Sequence, residues 1–242
     1  MHSLLYGELV PWYLLVDPPE DHEDEARCYQ AAFERVVTPR PQTLLELGAG
    51  AGNNALHLKR RFTCTLSDLS EDMLALSRAQ NPDCEHVLAD LRTLRLGRTF
   101  DVVLVHDAIT YMLTEEDLLA AARTAFVHTR PGGAAIFAPD CYRETFEDAS
   151  EMLSADQGHR AVRGLIWSWD PHPEDTTTVT EYAFLLREGD TVRAVHDRHI
   201  EGLFPRETWR RVLSEAGFRV DTLQRPIDDD GALDDVFLCQ RP

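Results

Sequence analysis

The chain has 242 residues, 43% of them hydrophobic and 27% charged, which suits one globular domain with insertions and argues against disorder. Forty-two acidic residues against 24 basic ones leave a net charge of −18, a field that repels polyanions and argues against nucleic acid or an anionic membrane as partner. Five cysteines without a CxxC read as reduced thiols, and the chain shows neither a basic leader nor a long apolar run, so a soluble cytoplasmic protein is expected.

Residues 1–22 mix Tyr6, Trp12 and Tyr13 with Pro11, Pro18 and Pro19. Ala26, Tyr29, Phe33 and Val36 then recur at helical spacing, so an amphipathic helix is expected over 21–37, with an acidic first turn that suits its dipole. An alternation of apolar runs and helical stretches follows. Strands are predicted at 43–47, 62–67, 85–89, 101–105 and 134–138, and helices at 53–61, 71–80 and 115–129. Buried strands alternating with helices imply βαβ units in a mostly parallel sheet. From Cys141 to Phe204 the texture changes: 161–169, 176–187 and 191–200 read as strands, the last two joined through Glu188-Gly189-Asp190, a hairpin signal. Residues 207–216 then read as a helix and 218–223 and 236–239 as closing strands. The run Asp228–Asp230 between those strands reads as a solvated turn, with cation binding the less favoured alternative.

The fold class expected is therefore α/β: a Rossmann-like sheet, mostly parallel with an antiparallel last strand, carrying an inserted antiparallel layer. Within one domain, 1–37 would form a lid and helix, 38–140 the cofactor-binding core, 141–204 the substrate-side insert and 205–242 the closing helix and strand pair.

The informative segment is Leu44–Asn53, where a buried strand runs into Gly48, Gly50 and Gly52 and then opens a helix. Glycines there let the backbone turn sharply and approach a ligand. A dinucleotide pattern would need a third glycine where Asn53 stands, so a nucleoside ligand without a pyrophosphate is favoured. Asp68 ends the next strand, where a carboxylate can accept both hydroxyls of a ribose; capping the following helix, by Asp68 or Ser70, is the structural alternative. Asp90, ending the third strand, is placed to receive an adenine amino group.

These motifs resemble those of the class I S-adenosylmethionine-dependent methyltransferases. Glu46–Gly52 matches the family's first motif, and Asp68–Leu74, Ala89–Leu91, Phe100–Leu104 and Arg130–Gly133 follow in the expected order. The resemblance implies S-adenosylmethionine as cofactor, with Glu46, Gly48, Gly50, Gly52 and Asn53 around its methionine part. It further implies Asp68 and Leu69 at the ribose, Met73 near the rings, and Asp90 and Leu91 at the adenine; His106, ending the fourth strand, reads equally as a cap lining the cofactor pocket or as a catalytic group. A narrower likeness, carried by Pro139–Phe146, the inserted strands, His199–Phe204 and Ala216-Gly217-Phe218, is to the nucleotide-linked amino-sugar N-methyltransferases. In that group a Tyr near the N-terminus and a His after the fourth strand lie by the transferred methyl; here these positions hold Tyr6 and Tyr111.

Tyr6, Tyr111 and His199 are thus the catalytic candidates. Positions 199 and 201 share a strand face, whereas His196 and His199 do not, which argues against a chelating pair, and no metal is expected. Trp167 and Trp169 point the same way and would wall the substrate pocket or pack in the core. The expected activity is methyl transfer to a small-molecule amine or hydroxyl acceptor, neutral or cationic, with a homodimer left open. A cofactor-binding scaffold or sensor and a protein methyltransferase are the competing readings.

Overall fold

A computed structural model describes residues 3–226 and 233–242, so the Asp228–Asp230 turn lies outside the described residues. Strands β1 (Thr43–Leu47), β2 (Thr63–Asp68), β3 (Glu85–Leu88), β4 (Phe100–His106) and β5 (Thr129–Ala138) run parallel. The four-stranded layer holds β6 (Ala149–Gln157), β7 (Arg160–Trp169), β8 (Thr177–Glu188) and β9 (Thr191–Gly202), all antiparallel. Strands β10 (Arg219–Pro226) and β11 (Leu233–Gln240) close the main sheet, whose order is β3-β2-β1-β4-β5-β11-β10, with β11 antiparallel to both neighbours.

Both faces of that sheet are buried, which is why its strands read as continuous apolar runs. Leu45, Leu47, Val103, Val105 and Phe137 face α5 (Glu115–His128) and α6 (Arg206–Glu215). Leu44, Leu66, Val102, Leu104 and Ile136 face α2 (Glu23–Val36) and α3 (Asn53–Leu58). Helix α4 (Glu71–Gln80) starts where Ser70 accepts a hydrogen bond from the Met73 amide at 3.1 Å, and α5 where Thr114 does the same for Asp117.

Three departures from the sequence reading stand out. Residues 3–22, for which the sequence offers no element, hold a short helix, α1 (Tyr13–Val16), and two 3-10 turns. Their Leu5, Leu9, Trp12 and Leu15 pack on Val162, Phe184 and Leu186 of the inserted sheet. Strand β5 begins at Thr129, because pairing with β4 survives an irregularity at which register jumps from Phe100–Thr129 to Val102–Ala134. Strand β6 is a polar edge strand whose side chains are almost all exposed, so no apolar alternation marks it.

Candidate active site

Strand order reverses between β1 and β4, and a ligand crevice is expected over the carboxyl ends of strands at such a point. A cavity of about 1060 Å³ opens there. Its floor is the loop from β1 to α3. The Gly48 and Ala49 amides both donate to the Ser67 carbonyl at 2.8 Å, which pins the loop to β2. Gly48 has φ +76°, and a Cβ on it would overlap the Cβ of Ala108. Gly50, at φ +54°, donates its amide to Asp68 Oδ2 at 2.8 Å, while Asp68 Oδ1 takes the Ser70 amide at 2.8 Å. Glu46 is buried with Oε2 unpartnered, and burial pushes its pKa up to about 8.

One wall is an ion-pair cluster. His106 Nε2 lies 2.8 Å from Glu25 Oε2 and 2.9 Å from Asp107 Oδ1, and Asn54 donates to its Nδ1 at 3.3 Å. His22 bridges Asp17 and Glu25 at 2.7 Å each. Burial opposes charge on His22, yet Asp17 and Glu25 raise its pKa to about 10. Ligand atoms of His22, Glu25 and His106 lie close enough to hold a metal, but Arg225 Nη1 stands 3.1 Å from His106 Nε2 and 3.4 Å from Glu25 Oε2. A guanidinium there repels a cation, so the cluster reads as neutralised by Arg225.

A second part of the lining joins the lid to Tyr111. Tyr6 Oη lies 2.8 Å from Tyr111 Oη, and Tyr111 Oη 2.8 Å from His199 Nδ1. His199 Nε2 faces Asp197 Oδ2 at 3.1 Å and Ser3 Oγ at 2.5 Å. Burial holds His199 below its ordinary pKa despite Asp197, and burial raises both tyrosines well above theirs. The imidazole is therefore neutral near pH 7 and able to accept a proton, with the phenols protonated. Ser70 Oγ also donates to the Tyr6 carbonyl at 2.6 Å, and Asn53 to the Asp17 carbonyl at 3.0 Å, stitching the N-terminal segment over the glycine loop.

A family model described as a methyltransferase domain matches residues 44–133. The dTDP-3-amino-3,4,6-trideoxy-alpha-D-glucopyranose N,N-dimethyltransferase of Streptomyces venezuelae is 33% identical over 197 residues, covering 80% of this chain and 82% of the relative. The chain belongs to the S-adenosylmethionine-dependent methyltransferases. The crystal structure of Streptomyces venezuelae DesVI matches this methyltransferase with a TM-score of 0.83 over 96% of both chains, at 28% identity. CalS10 from Micromonospora echinaspora, solved with S-adenosylmethionine bound, shares the fold with a TM-score of 0.79, covering 91% of this chain and 92% of its own at 24% identity.

The methyltransferase uses S-adenosylmethionine, and the residues fit it: the unpartnered buried carboxyl oxygen of Glu46, and Gly48, where a Cβ would overlap Ala108, face one cavity. Glu46, Gly48, Gly50, Asn53, Asp68, Leu69, Met73, Asp90, Leu91 and His106 all line that cavity, as do Tyr6, Tyr111 and His199. Gly52 does not; at φ +75° it starts α3, packed against Ser77 and Asn81. The Asp90 carboxylate is occupied by Arg92, whose Nε and Nη2 reach it at 3.0 and 2.6 Å. Of the two helix-capping candidates, Ser70 takes the role.

Trp167 and Trp169 are a correction. They share a face, as strand alternation requires, but they stack on each other at 5.5 Å with Trp167 47% exposed, and neither lines the cavity. Asp197 was missed by sequence reasoning, and its parity with His199 was the available signal.

Proposed function

We propose that this enzyme methylates the amine of a nucleotide-linked amino sugar. The observation that carries the reading is the hydrogen-bonded run Tyr6–Tyr111–His199 facing the same cavity as the glycine loop. Relatives named as dTDP-amino-sugar N,N-dimethyltransferases support the substrate class. The sequence-level preference for a neutral or cationic acceptor rested on the acidic balance. The cavity is itself lined by Asp17, Asp68, Glu71 and Asp72 with Arg92 and Arg198, so the relatives' substrate class, and not local charge, is what supports a nucleotide-linked acceptor.

In this reading Glu46, Gly48 and Gly50 hold the methionine portion of the cofactor and Asp68 the ribose. Leu69 and Met73 flank the rings, and Leu91 meets the adenine beside Asp90, whose carboxylate is held by Arg92. Asn53 and His106 complete the wall, and Gly52 acts through the start of α3. The bound cofactor supplies an electrophilic methyl on a sulfonium. The lid residues exclude water and hold the acceptor beside the floor, a proximity effect that carries much of such a rate. An amine that forms a new bond must shed a proton, and neutral His199 Nδ1, reached through Tyr111 and Tyr6, is the base that takes it.

Residues 1–37 and 141–204 serve the acceptor, 38–140 the cofactor, and 205–242 close the sheet, within one cytoplasmic domain that binds no nucleic acid. No helix among the described residues is long and apolar enough to cross a membrane. Mass spectrometry of products from a dTDP-linked amino sugar, the free amino sugar and the hydroxyl analogue tests the reading. Methylation of the linked amine is expected; no methylated amine, or faster methylation of the hydroxyl analogue, overturns it. His199→Ala and Tyr111→Phe should each lower turnover about 10²-fold or more, the scale of general-base loss, with cofactor affinity on calorimetry nearly unchanged.

A further inference from the structure

The chain of groups beside the acceptor does not end at His199. Asp197, two positions earlier on the same face of β9, is buried, and its Oδ2 collects three donors. These are the Leu5 amide at 2.8 Å, Ser3 Oγ at 3.0 Å and His199 Nε2 at 3.1 Å. Burial works against its charge, but the backbone amides of Leu5 and Leu4 and the His199 ring hold Asp197 below its usual carboxylate pKa. An ionised carboxylate accepts only, and the Ser3 hydroxyl gives its one proton to it, so Nε2 of His199, facing both oxygens, must carry the ring proton. Nδ1 is then a bare lone pair and must accept from the Tyr111 hydroxyl. Tyr111, its proton committed to His199, must in turn accept from Tyr6. Every donor thus points inward, toward Asp197.

We infer that Asp197 is a positioning residue: by fixing the tautomer of His199 it sets the direction of the whole chain, so that Tyr6 meets the acceptor nitrogen with oxygen lone pairs. The inference rests on the proposed amine acceptor. With this direction, one proton passes from the acceptor nitrogen to Tyr6 Oη, the Tyr6 proton to Tyr111, and the Tyr111 proton to His199 Nδ1. The nitrogen keeps its electron pair, both phenols end neutral, and an imidazolium is left against the Asp197 carboxylate. With the opposite tautomer Tyr6 would present a proton to the acceptor and bind its lone pair, blocking the nucleophile. Ser3 and Leu5 contribute by holding Asp197 in place, so the N-terminal segment and β9 build the polarity together.

The groups that face His199 are Asp197 on its own strand, Tyr111 from the turn after β4, Tyr6 and Ser3 from the N-terminal segment, and Tyr182 from β8 at 4.6 Å between ring centroids. Glu201 and Asp140 lie further off and act on the tyrosines. Asp197→Asn removes the charge that favours imidazolium, so the acid limb of kcat should move to lower pH. Mere undocking of the N-terminal segment would instead rehydrate His199 and move that limb up toward the ordinary value near 6.5.

Two measurements on the full chain test this. Two-bond nitrogen–proton NMR of the imidazoles should show His199 in the Nε2–H form at neutral pH, with that preference lost in Asp197→Ala. The pH profile of kcat for Asp197→Asn should show a fall of about 10²-fold or more and an acid limb displaced downward, with partial rescue by Asp197→Glu. A wild-type enzyme that methylates amines with His199 in the Nδ1–H form overturns the inference and leaves the proposed function standing. An upward-moving limb in Asp197→Asn also overturns it. An enzyme that methylates no amine, whatever the tautomer, overturns the proposed function itself.

Discussion

Two carboxylates on the cavity floor are held in opposite ways. Asp68 is gripped by the Gly50 and Ser70 amides, leaving capacity for further donors at the end of β2. Asp68→Ala should weaken cofactor binding by about 2–3 kcal/mol, the range for hydrogen bonds to a charged group. Calorimetry checks it, and an unchanged affinity removes the ribose role from Asp68. Glu46 is buried with an unpartnered oxygen, and its pKa rises from 4.5 to about 8. Below the lower value both folded and unfolded chains are protonated, and no stability is lost. Between the two values only the unfolded chain ionises, so folding stability falls with rising pH and levels off above the upper one. Glu46→Gln should therefore gain several kcal/mol over wild type at about pH 8 and almost nothing at about pH 4, read from urea melts.

Among the elements, those that bury two faces were legible in the sequence. Strand β1 and helix α4 fall where apolar runs and the Ser70 cap place them. Strand β6 was not legible, since an exposed edge strand needs no apolar pattern and its nine residues are held by pairing with β7. The same physics divides the site. Gly48 and Asp68 act through local backbone geometry, which a motif records. Asp197 acts through contacts to Ser3 and Leu5, nearly the whole chain away, which no local pattern records. The order of residues 3–22 was invisible for that reason too: their apolar side chains find partners in the inserted sheet, far along the chain. Leu9, almost fully buried in that cluster, gives a test at this scale. Leu9→Ala should cost about 2–5 kcal/mol of local packing and lower turnover more than cofactor affinity, measured side by side.

At the scale of the molecule, the inserted sheet covers the N-terminal segment with one face and leaves the other bare. Met152, Leu165, Trp167, Leu185, Val192 and Ile200 stand exposed, Met152 at 83%. Such a face suits an interaction surface, and we propose a second copy of the chain as its occupant. Sedimentation should show a dimer that Leu165→Asp with Leu185→Asp converts to monomer; a monomeric wild type discards the homodimer.

The acceptor wall has a consequence for how its specificity can be altered. Its hydrogen bonds join three stretches of chain, Ser3–Tyr6, Tyr111 and Asp197–His199. Transplanting the inserted strands from a relative with another substrate would bring a foreign sheet to the native N-terminal residues, stranding Ser3 and the Leu5 amide without their carboxylate. A swap of the N-terminal residues alone fails for the mirror-image reason. The two segments work as one part, and chimeras should keep activity only when both come from the same parent.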